Sequence, residues 1–262
     1  MSFLRRLALT ASYVTCLPIY KVDLETSDDM LSGLSKYLPT VGLLIGICLF
    51  LGAKVLELVH APYLVQGALL TVLWFVVTSG LHLDGLMDAA DGIFSHQSPA
   101  RMLEIMQDPR VGNFGVIIGI LLLLTKFAAL ASLGANALFA SIFLVPAFAR
   151  LAEVYAIGKF NYLREQGKGK IWHDTTDYPR DFWMSAFLPV ACTIGVLYKT
   201  HSLIFLTVPA ATLIGGILCA RWMNKKLGGH TGDTYGATVE FAEAAGLLTS
   251  AIIQCFHNYS GW

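Results

Sequence analysis

Long apolar runs alternate with short polar stretches along the chain. Seven runs approach or reach the roughly 20 residues that a helix needs to cross a bilayer: 39–58, 62–81, 115–134, 137–157, 182–198, 202–220 and 238–256. The fifth is short and the seventh opens on polar residues, so either can be partly re-entrant. Pro62, Pro146 and Pro189 sit at span starts or interiors, where membrane helices tolerate proline. Leu-Gly-Ala-Asn at 133–136 predicts a tight turn. Ahead of the runs, Arg5 and Arg6 precede a mixed stretch from Leu7 to Tyr20. It is short for a span and lacks a small-residue cleavage site, which predicts a retained amphipathic or re-entrant segment. The pattern therefore predicts an all-α, polytopic membrane bundle of about seven transmembrane helices plus that N-terminal segment, as one integral membrane domain over 1–262.

Composition sharpens this reading. Only 14% of residues are charged and 55% are hydrophobic, against about 25% charged in soluble domains. Formal net charge is zero, so no basic field points to nucleic acid. Cys16, Cys48, Cys192, Cys219 and Cys255 are scattered without a C-x-x-C pair, which argues against a disulfide framework or a zinc site. Fifteen of the 18 Lys and Arg fall on one side of the predicted spans, among them Lys21, Arg150 and the basic residues of 158–181. Lys54 and Lys199 lie on the other side, and Lys126 falls within a span. The positive-inside rule then puts the N-terminus and every acidic motif on the cytoplasmic side.

Those acidic motifs carry the candidate chemistry. In the run from Gly80 to Gly92, Asp84, Asp88 and Asp91 fall at i, i+4 and i+7, so a helix stacks them on one face. Repulsion between such neighbours calls for a positive partner. Clustered hard oxygens suit Mg²⁺ or Mn²⁺, with phosphate oxygens completing the shell. An ordinary solvated helix start explains one aspartate, by about 0.3–1 kcal/mol, and explains three on one stripe poorly. Glu104 and Asp108 follow at i, i+4 before Pro109 and Arg110. Asp108 at a helix C-terminus opposes the dipole; either a metal or a pairing with Arg110 or Arg101 accounts for it. Gly85 and Gly92 each follow an aspartate and allow close backbone approach to a ligand, or simply close packing of helices.

A second motif runs from Leu227 to Ala237, with Gly229, His230, Thr231, Gly232, Asp233 and Thr234 before the last span. Such a loop offers backbone N–H groups to an anion, and Lys225 with Lys226 precedes it. A flexible turn leading into an acidic helix start is the alternative. Asp233, Glu240 and Glu243 share a face if the helix begins near Thr231. His82 and His230 flank the two motifs and are general-base candidates, although a lone histidine is more often a hydrogen-bonded structural residue. His60, His96, His173, His201 and His257 form no ligand spacing. The 158–181 loop mixes Lys159, Tyr162, Arg164, Lys168, Lys170 and Trp172. That mixture suits either a nucleotide or an interfacial anchor.

These stretches together resemble the cobalamin synthase family. The resemblance rests on Gly80-Leu-His-Leu-Asp-Gly-Leu-Met-Asp-Ala-Ala-Asp-Gly-Ile-Phe, Arg101-Met-Leu-Glu-Ile-Met-Gln-Asp-Pro-Arg-Val-Gly, and Leu227-Gly-Gly-His-Thr-Gly-Asp-Thr-Tyr-Gly-Ala. Tyr13-Val-Thr-Cys16-Leu-Pro18 is similar to the family's N-terminal stretch, with Cys16 where an Arg is expected. The resemblance implies an enzyme of the cytoplasmic (inner) membrane that uses Mg²⁺. It implies joining of α-ribazole, or its 5′-phosphate, to adenosylcobinamide-GDP, with release of GMP. Membrane lipid surrounds such a protein, no nucleic acid is involved, and either a homo-oligomer or association with other nucleotide-loop assembly enzymes is compatible with it. On this reading Asp84, Asp88, Asp91, Glu104 and Asp108 are the metal candidates. Asp108, Asp233 and His82 are candidate bases in that order. Gly85, Gly92, Arg110, Lys225, Gly229, Thr231, Gly232 and Thr234 are candidate contacts to the nucleotide phosphates.

Two other enzyme classes share parts of the pattern. CDP-alcohol phosphotransferases carry Asp-Gly with spaced aspartates but want Ala-Arg soon after, where this chain has Leu86-Met87-Asp88. Prenyltransferases use two aspartate-rich motifs but fit the Gly-Gly-His-Thr-Gly-Asp loop badly. A transporter would place its acids near mid-membrane, whereas these cluster at one mouth.

Overall fold

The computed structural model describes residues 2–17, 19, 28–200 and 202–260; Pro18, Tyr20, Lys21 and His201 of the segments considered above lie outside them. Among the described residues there is no strand, and one isolated parallel bridge joins Tyr162 to His230. The helices are α1 (Phe3–Val14), α2 (Asp28–Leu31), α3 (Leu38–Leu58), α4 (Tyr63–Val77), α5 (Leu81–Phe94) and α6 (Pro99–Ile105). They continue as α7 (Asn113–Ser132), α8 (Ala135–Lys159), α9 (Lys168–Thr175), α10 (Arg180–Thr200), α11 (Thr207–Leu227) and α12 (Gly232–Ser260).

Helix α8 is the axis of the bundle. It is apolar on every side because α3, α10, α11 and α12 pack round it. A Cβ at Gly42 of α3 would lie 2.5 Å from Ala147 Cα, and one at Gly46 would lie 2.8 Å from the Phe143 carbonyl oxygen. Small residues thus let the two backbones touch, which is how helices associate where lipid removes the hydrophobic drive. The outer faces keep large apolar residues exposed, including Leu51, Val55, Ile117, Leu121, Phe187 and Ile194. That belt faces lipid.

Five helices among the described residues are long and apolar enough to span: 35–58, which includes α3, then α7, α8, α10 and α12. A sixth arises if α4 and α5 count as one bent span. The expected run at 62–81 is therefore interrupted. α4 stops after 15 residues, about 22 Å of helix against a hydrocarbon core of about 30 Å. Ser79 and Gly80 adopt positive φ values of 53° and 65°, and α5 leaves at 89° to α4. Glycine takes that left-handed turn without a Cβ clash. The turn carries Asp84, Asp88 and Asp91 away from the line of the span, where three carboxylates cannot be solvated. α11 is 21 residues long but ends in Arg221, Lys225 and Lys226 and falls short of the same standard, so the count of seven is not reached on these criteria.

The N-terminal segment forms α1, with Leu9, Thr10, Ala11 and Val14 buried and Phe3 and Leu4 exposed. Past its end, the Cys16 N–H donates to the Val77 carbonyl at 2.9 Å. That bond ties α1 to the corner between α4 and α5.

Candidate active site

The acidic stripe is assembled by a tight crossing of α5 and α12. A Cβ at Gly85 would sit 2.9 Å from both Asp233 Cα and the Asp233 carbonyl oxygen. A Cβ at Gly236 would sit 2.8 Å from the His82 carbonyl oxygen. Both positions need glycine for the backbones to meet, so Gly85 serves the helix crossing. The contact brings the start of α12 against the first turns of α5. Asp84 is exposed, Asp88 half-buried and Asp233 partly buried. Asp84, Asp233 and Asp91 all act on Asp88 with like charge, and Arg164 is the opposing cation.

Arg164 reaches this point through the bridge between two loops. The His230 N–H donates to the Asn161 carbonyl at 2.8 Å, and the Leu163 N–H donates to the His230 carbonyl at 2.9 Å. A Cβ at Gly229 would lie 2.7 Å from Leu163 Cδ2, so that glycine lets the two loops pack. With the loops locked, Arg164 Nη2 donates to Asp233 Oδ2 at 2.5 Å, both side chains being largely shielded.

His230 is structural. It is fully buried, with Nδ1 2.9 Å from Thr234 Oγ1 and Nε2 3.1 Å from the Ala220 carbonyl. Its ring stacks on Phe160 and Tyr235. Burial pushes its pKa down to about 4, so the ring is neutral near pH 7. Thr231 and Thr234 cap α12 reciprocally. The Thr231 N–H donates to Thr234 Oγ1 at 2.8 Å, and the Thr234 N–H to Thr231 Oγ1 at 3.4 Å. Both hydroxyls are engaged in this cap. Gly232 has open space where a Cβ would be. Lys225 is exposed in the last turn of α11, where a cation complements the helix dipole.

Other expected ligands stand apart. Asp91 shares α5 with its two neighbours, yet its carboxylate accepts the N–H groups of Gly112 and Gly115, both at 2.8 Å. It anchors the start of α7, and carboxylates are favoured there. Gly92 packs against α6, where a Cβ would lie 2.7 Å from the Met102 carbonyl. Glu104 pairs with Arg101 at 2.6 Å on an exposed surface. Asp108 lies beyond the end of α6 and is gripped by Arg110 at 2.9 and 2.7 Å. The guanidinium holds its carboxyl well below the usual carboxylate range, which makes it a poor proton acceptor. The pairing alternative thus holds for Asp108, and Arg110 is occupied in it. Among the described residues, no three His, Cys, Asp or Glu side chains close round one point as a ready-made metal cage. Asp84, Asp88 and Asp233, opposed by one guanidinium, are hard-oxygen donors of the kind that Mg²⁺ takes. That ion typically uses one or two carboxylates and draws its other ligands from water and phosphate.

A second charged cluster lies inside the bundle. Lys126 Nζ on α7 sits 2.5 Å from Glu240 Oε2 and 2.6 Å from Glu243 Oε2 on α12. Arg150 on α8, fully buried, donates to Glu243 Oε1 at 2.8 Å and to the Pro146 carbonyl at 3.0 Å. Arg150 is therefore not the loop charge that its place in the sequence suggests. Its Nη2 lies 3.4 Å from His82 Nδ1, and His82 Nε2 lies 3.8 Å from Glu153 Oε2. His82 is buried in this array, turned from the exposed Asp84. Glu240 and Glu243 join α12 to α7 and α8 and do not extend the Asp233 site. Lone charges within apolar runs at Lys126, Arg150 and Glu153 were the available signal: intramembrane charges must find partners.

Fold and site together define a polytopic membrane protein with carboxylates gathered at the α5–α12 crossing beside Arg164. The chain belongs to the cobalamin-5-phosphate synthase family, whose description matches residues 6–251. Curated relatives named adenosylcobinamide-GDP ribazoletransferase include one from Thermosynechococcus vestitus, 36% identical over 92% of this chain and 93% of the relative. Another, from Desulfitobacterium hafniense, is 37% identical over 95% and 97%. A third, from Stutzerimonas stutzeri, is 36% identical over 94% and 97%. No solved structure matches the chain.

Proposed function

We propose that this chain is a Mg²⁺-dependent adenosylcobinamide-GDP ribazoletransferase that works at the cytoplasmic face of the inner membrane. The substrates follow from the names of its relatives. The observation that carries the mechanism is the α5–α12 crossing, which sets Asp88 among Asp84 and Asp233 with Arg164 opposite.

A ribose hydroxyl of α-ribazole, or of its 5′-phosphate, attacks the pyrophosphate phosphorus nearer the cobinamide. A new O–P bond forms, the P–O bond to the GMP oxygen breaks, and the hydroxyl proton passes to a carboxylate. Asp84 and Asp88 are the residues that would hold Mg²⁺. When bound, the ion would offset charge building on the phosphate oxygens. Asp233 is the preferred proton acceptor, since Asp108 is gripped by Arg110 and His82 is buried behind the crossing. Arg164 is free to exchange its bond to Asp233 for one to the departing phosphate, for which a guanidinium is well shaped.

Membranes carrying the chain, given adenosylcobinamide-GDP, α-ribazole and Mg²⁺, should form cobamide and GMP in equal amounts. Absence of product with either α-ribazole or its 5′-phosphate would refute the assignment.

A further inference from the structure

An apolar groove of about 470 Å³ runs between α5, α7, α11 and α12, within the roughly 300–1,000 Å³ typical of ligand sites. Leu86 and Ala90 of α5, Ile118 of α7, Leu218 and Trp222 of α11 and Phe241 of α12 line it. Leu86 and Ala90 lie on the face of α5 opposite Asp84, Asp88 and Asp91, so the groove is separate from the acidic site. Among the described residues no charged, hydroxyl or amide side chain lines it, and the Cys219 thiol turns to the Ala237 carbonyl at 4.0 Å. Ala90 is a buried floor, while Leu218, Trp222 and Phe241 are exposed walls. A guest gains almost no hydrogen bonding there. The part of it that enters must be hydrocarbon, since amides or phosphates would lose their water uncompensated.

The groove has a definite depth. Ile118 and Trp222 each stand five residues from the end of their helix on the side of the basic loops, and Phe241 stands nine. At about 1.5 Å per residue these are depths of about 7–14 Å, within one half of a hydrocarbon core about 30 Å thick. The groove therefore lies in one leaflet. Lys225 and Lys226 follow Trp222 by three and four residues, one turn nearer water on the same face of α11. Both are exposed, and neither makes an ion pair among the described residues. Helix α6 packs against α11, but its acid, Glu104, is held by Arg101.

A hydrocarbon slot in one leaflet, with two cations at its watery end, matches one lipid chemistry. We infer that the groove seats an acyl chain of an anionic phospholipid whose phosphate rests on Lys225 and Lys226. A zwitterionic lipid offers the same chain, but its own cation opposes the lysines. Basic pockets between membrane helices select anionic headgroups in this way. A chain lying along Leu86, Ala90, Leu218 and Trp222 braces α5 against α11 from the side away from the aspartates. The lipid seat stands whatever reaction those aspartates serve.

The test is quenching of tryptophan fluorescence by lipids brominated on one acyl chain, with the full-length protein in phosphatidylcholine vesicles. The Trp222→Phe protein gives the signal of the other four tryptophans, and the difference reports the groove. Titrated by lipid fraction, brominated phosphatidylglycerol should occupy it about twenty-fivefold more tightly than brominated phosphatidylcholine, at about fivefold per lysine. Lys225→Gln and Lys226→Gln should each lower that preference to about fivefold, and together they should bring it near one. Ala90→Leu, which fills the floor, should weaken quenching of Trp222 by both lipids. If that variant does not fold, the lysine variants, at an exposed helix end, carry the test. A wild-type preference below about threefold, or an undiminished preference in the double lysine variant, would overturn the assignment. So would a Trp222 shielded from both lipids in a dimeric protein, which would give the groove to a second copy. Displacement of the brominated lipid by adenosylcobinamide-GDP would likewise overturn it and give the groove to that molecule.

Discussion

Lys126 holds two carboxylates inside the bundle, and replacing it with methionine isolates the energetics of that arrangement. The side chain is 4% exposed, with its ammonium within hydrogen-bonding distance of Glu240 and Glu243. Methionine fills similar space without the charge. Glu243 keeps Arg150 at 2.8 Å, so the loss falls mainly on Glu240, whose ion pair is with Lys126. Stranding one member of a buried pair costs about 3–5 kcal/mol. The expected destabilisation is therefore about 3–5 kcal/mol at pH 7. Adding Glu240→Gln to Lys126→Met should recover most of it. Unfolding by SDS titration from mixed micelles, followed by circular dichroism, measures all three proteins. A Lys126→Met protein within about 1 kcal/mol of wild type, or a double variant no more stable than the single one, would show that Lys126 does not hold these carboxylates.

Further outcomes follow from the same geometry. Gly85→Ala should push α5 off α12, costing about 1–3 kcal/mol and most of the turnover. Gly195→Ala on α10 meets nothing within 4 Å and should be neutral or stabilising by up to about 1 kcal/mol; cobamide synthesis and SDS titration compare the two. Asp108→Asn, on an exposed pair, should leave stability unchanged and turnover near wild type in the GMP-release assay. His230 has its pKa lowered from 6.5 to about 4, so between those values the unfolded chain binds the extra proton. Its contribution is intact above pH 6.5 and lost as pH falls toward 4, by roughly 3 kcal/mol in total. The His230→Asn protein should lose that slope, read from unfolding midpoints across the window.

Much of the fold was legible because hydrocarbon demands apolar stretches of fixed length. The starts and ends of α3, α7 and α8 lie within a few residues of the runs that predict them. The break between α4 and α5 was not, because the run from 62 to 81 stays apolar through Val77 and only Ser79-Gly80 marks the corner. The helical spacing of Asp84, Asp88 and Asp91 predicts one helix, and α5 is that helix. Spacing does not say what each carboxylate meets. Asp91 turns to the amides of Gly112 and Gly115, more than twenty residues away. The buried pairs of Lys126 with Glu240 and of Arg150 with Glu243 join residues about a hundred positions apart, so periodicity within one segment could not reveal them. Asp108 was the opposite case, since its partner Arg110 stands two residues on.

As proposed, the Asp84, Asp88 and Asp233 cluster uses Mg²⁺ to exchange one phosphate ester for another. Its most direct test is GMP release from adenosylcobinamide-GDP by membranes carrying wild-type or Asp88→Asn protein, titrated with Mg²⁺ at saturating α-ribazole. The rate should be lower by about a hundredfold or more in Asp88→Asn, with more Mg²⁺ needed for half-maximal turnover. Turnover and Mg²⁺ dependence equal to wild type would contradict it.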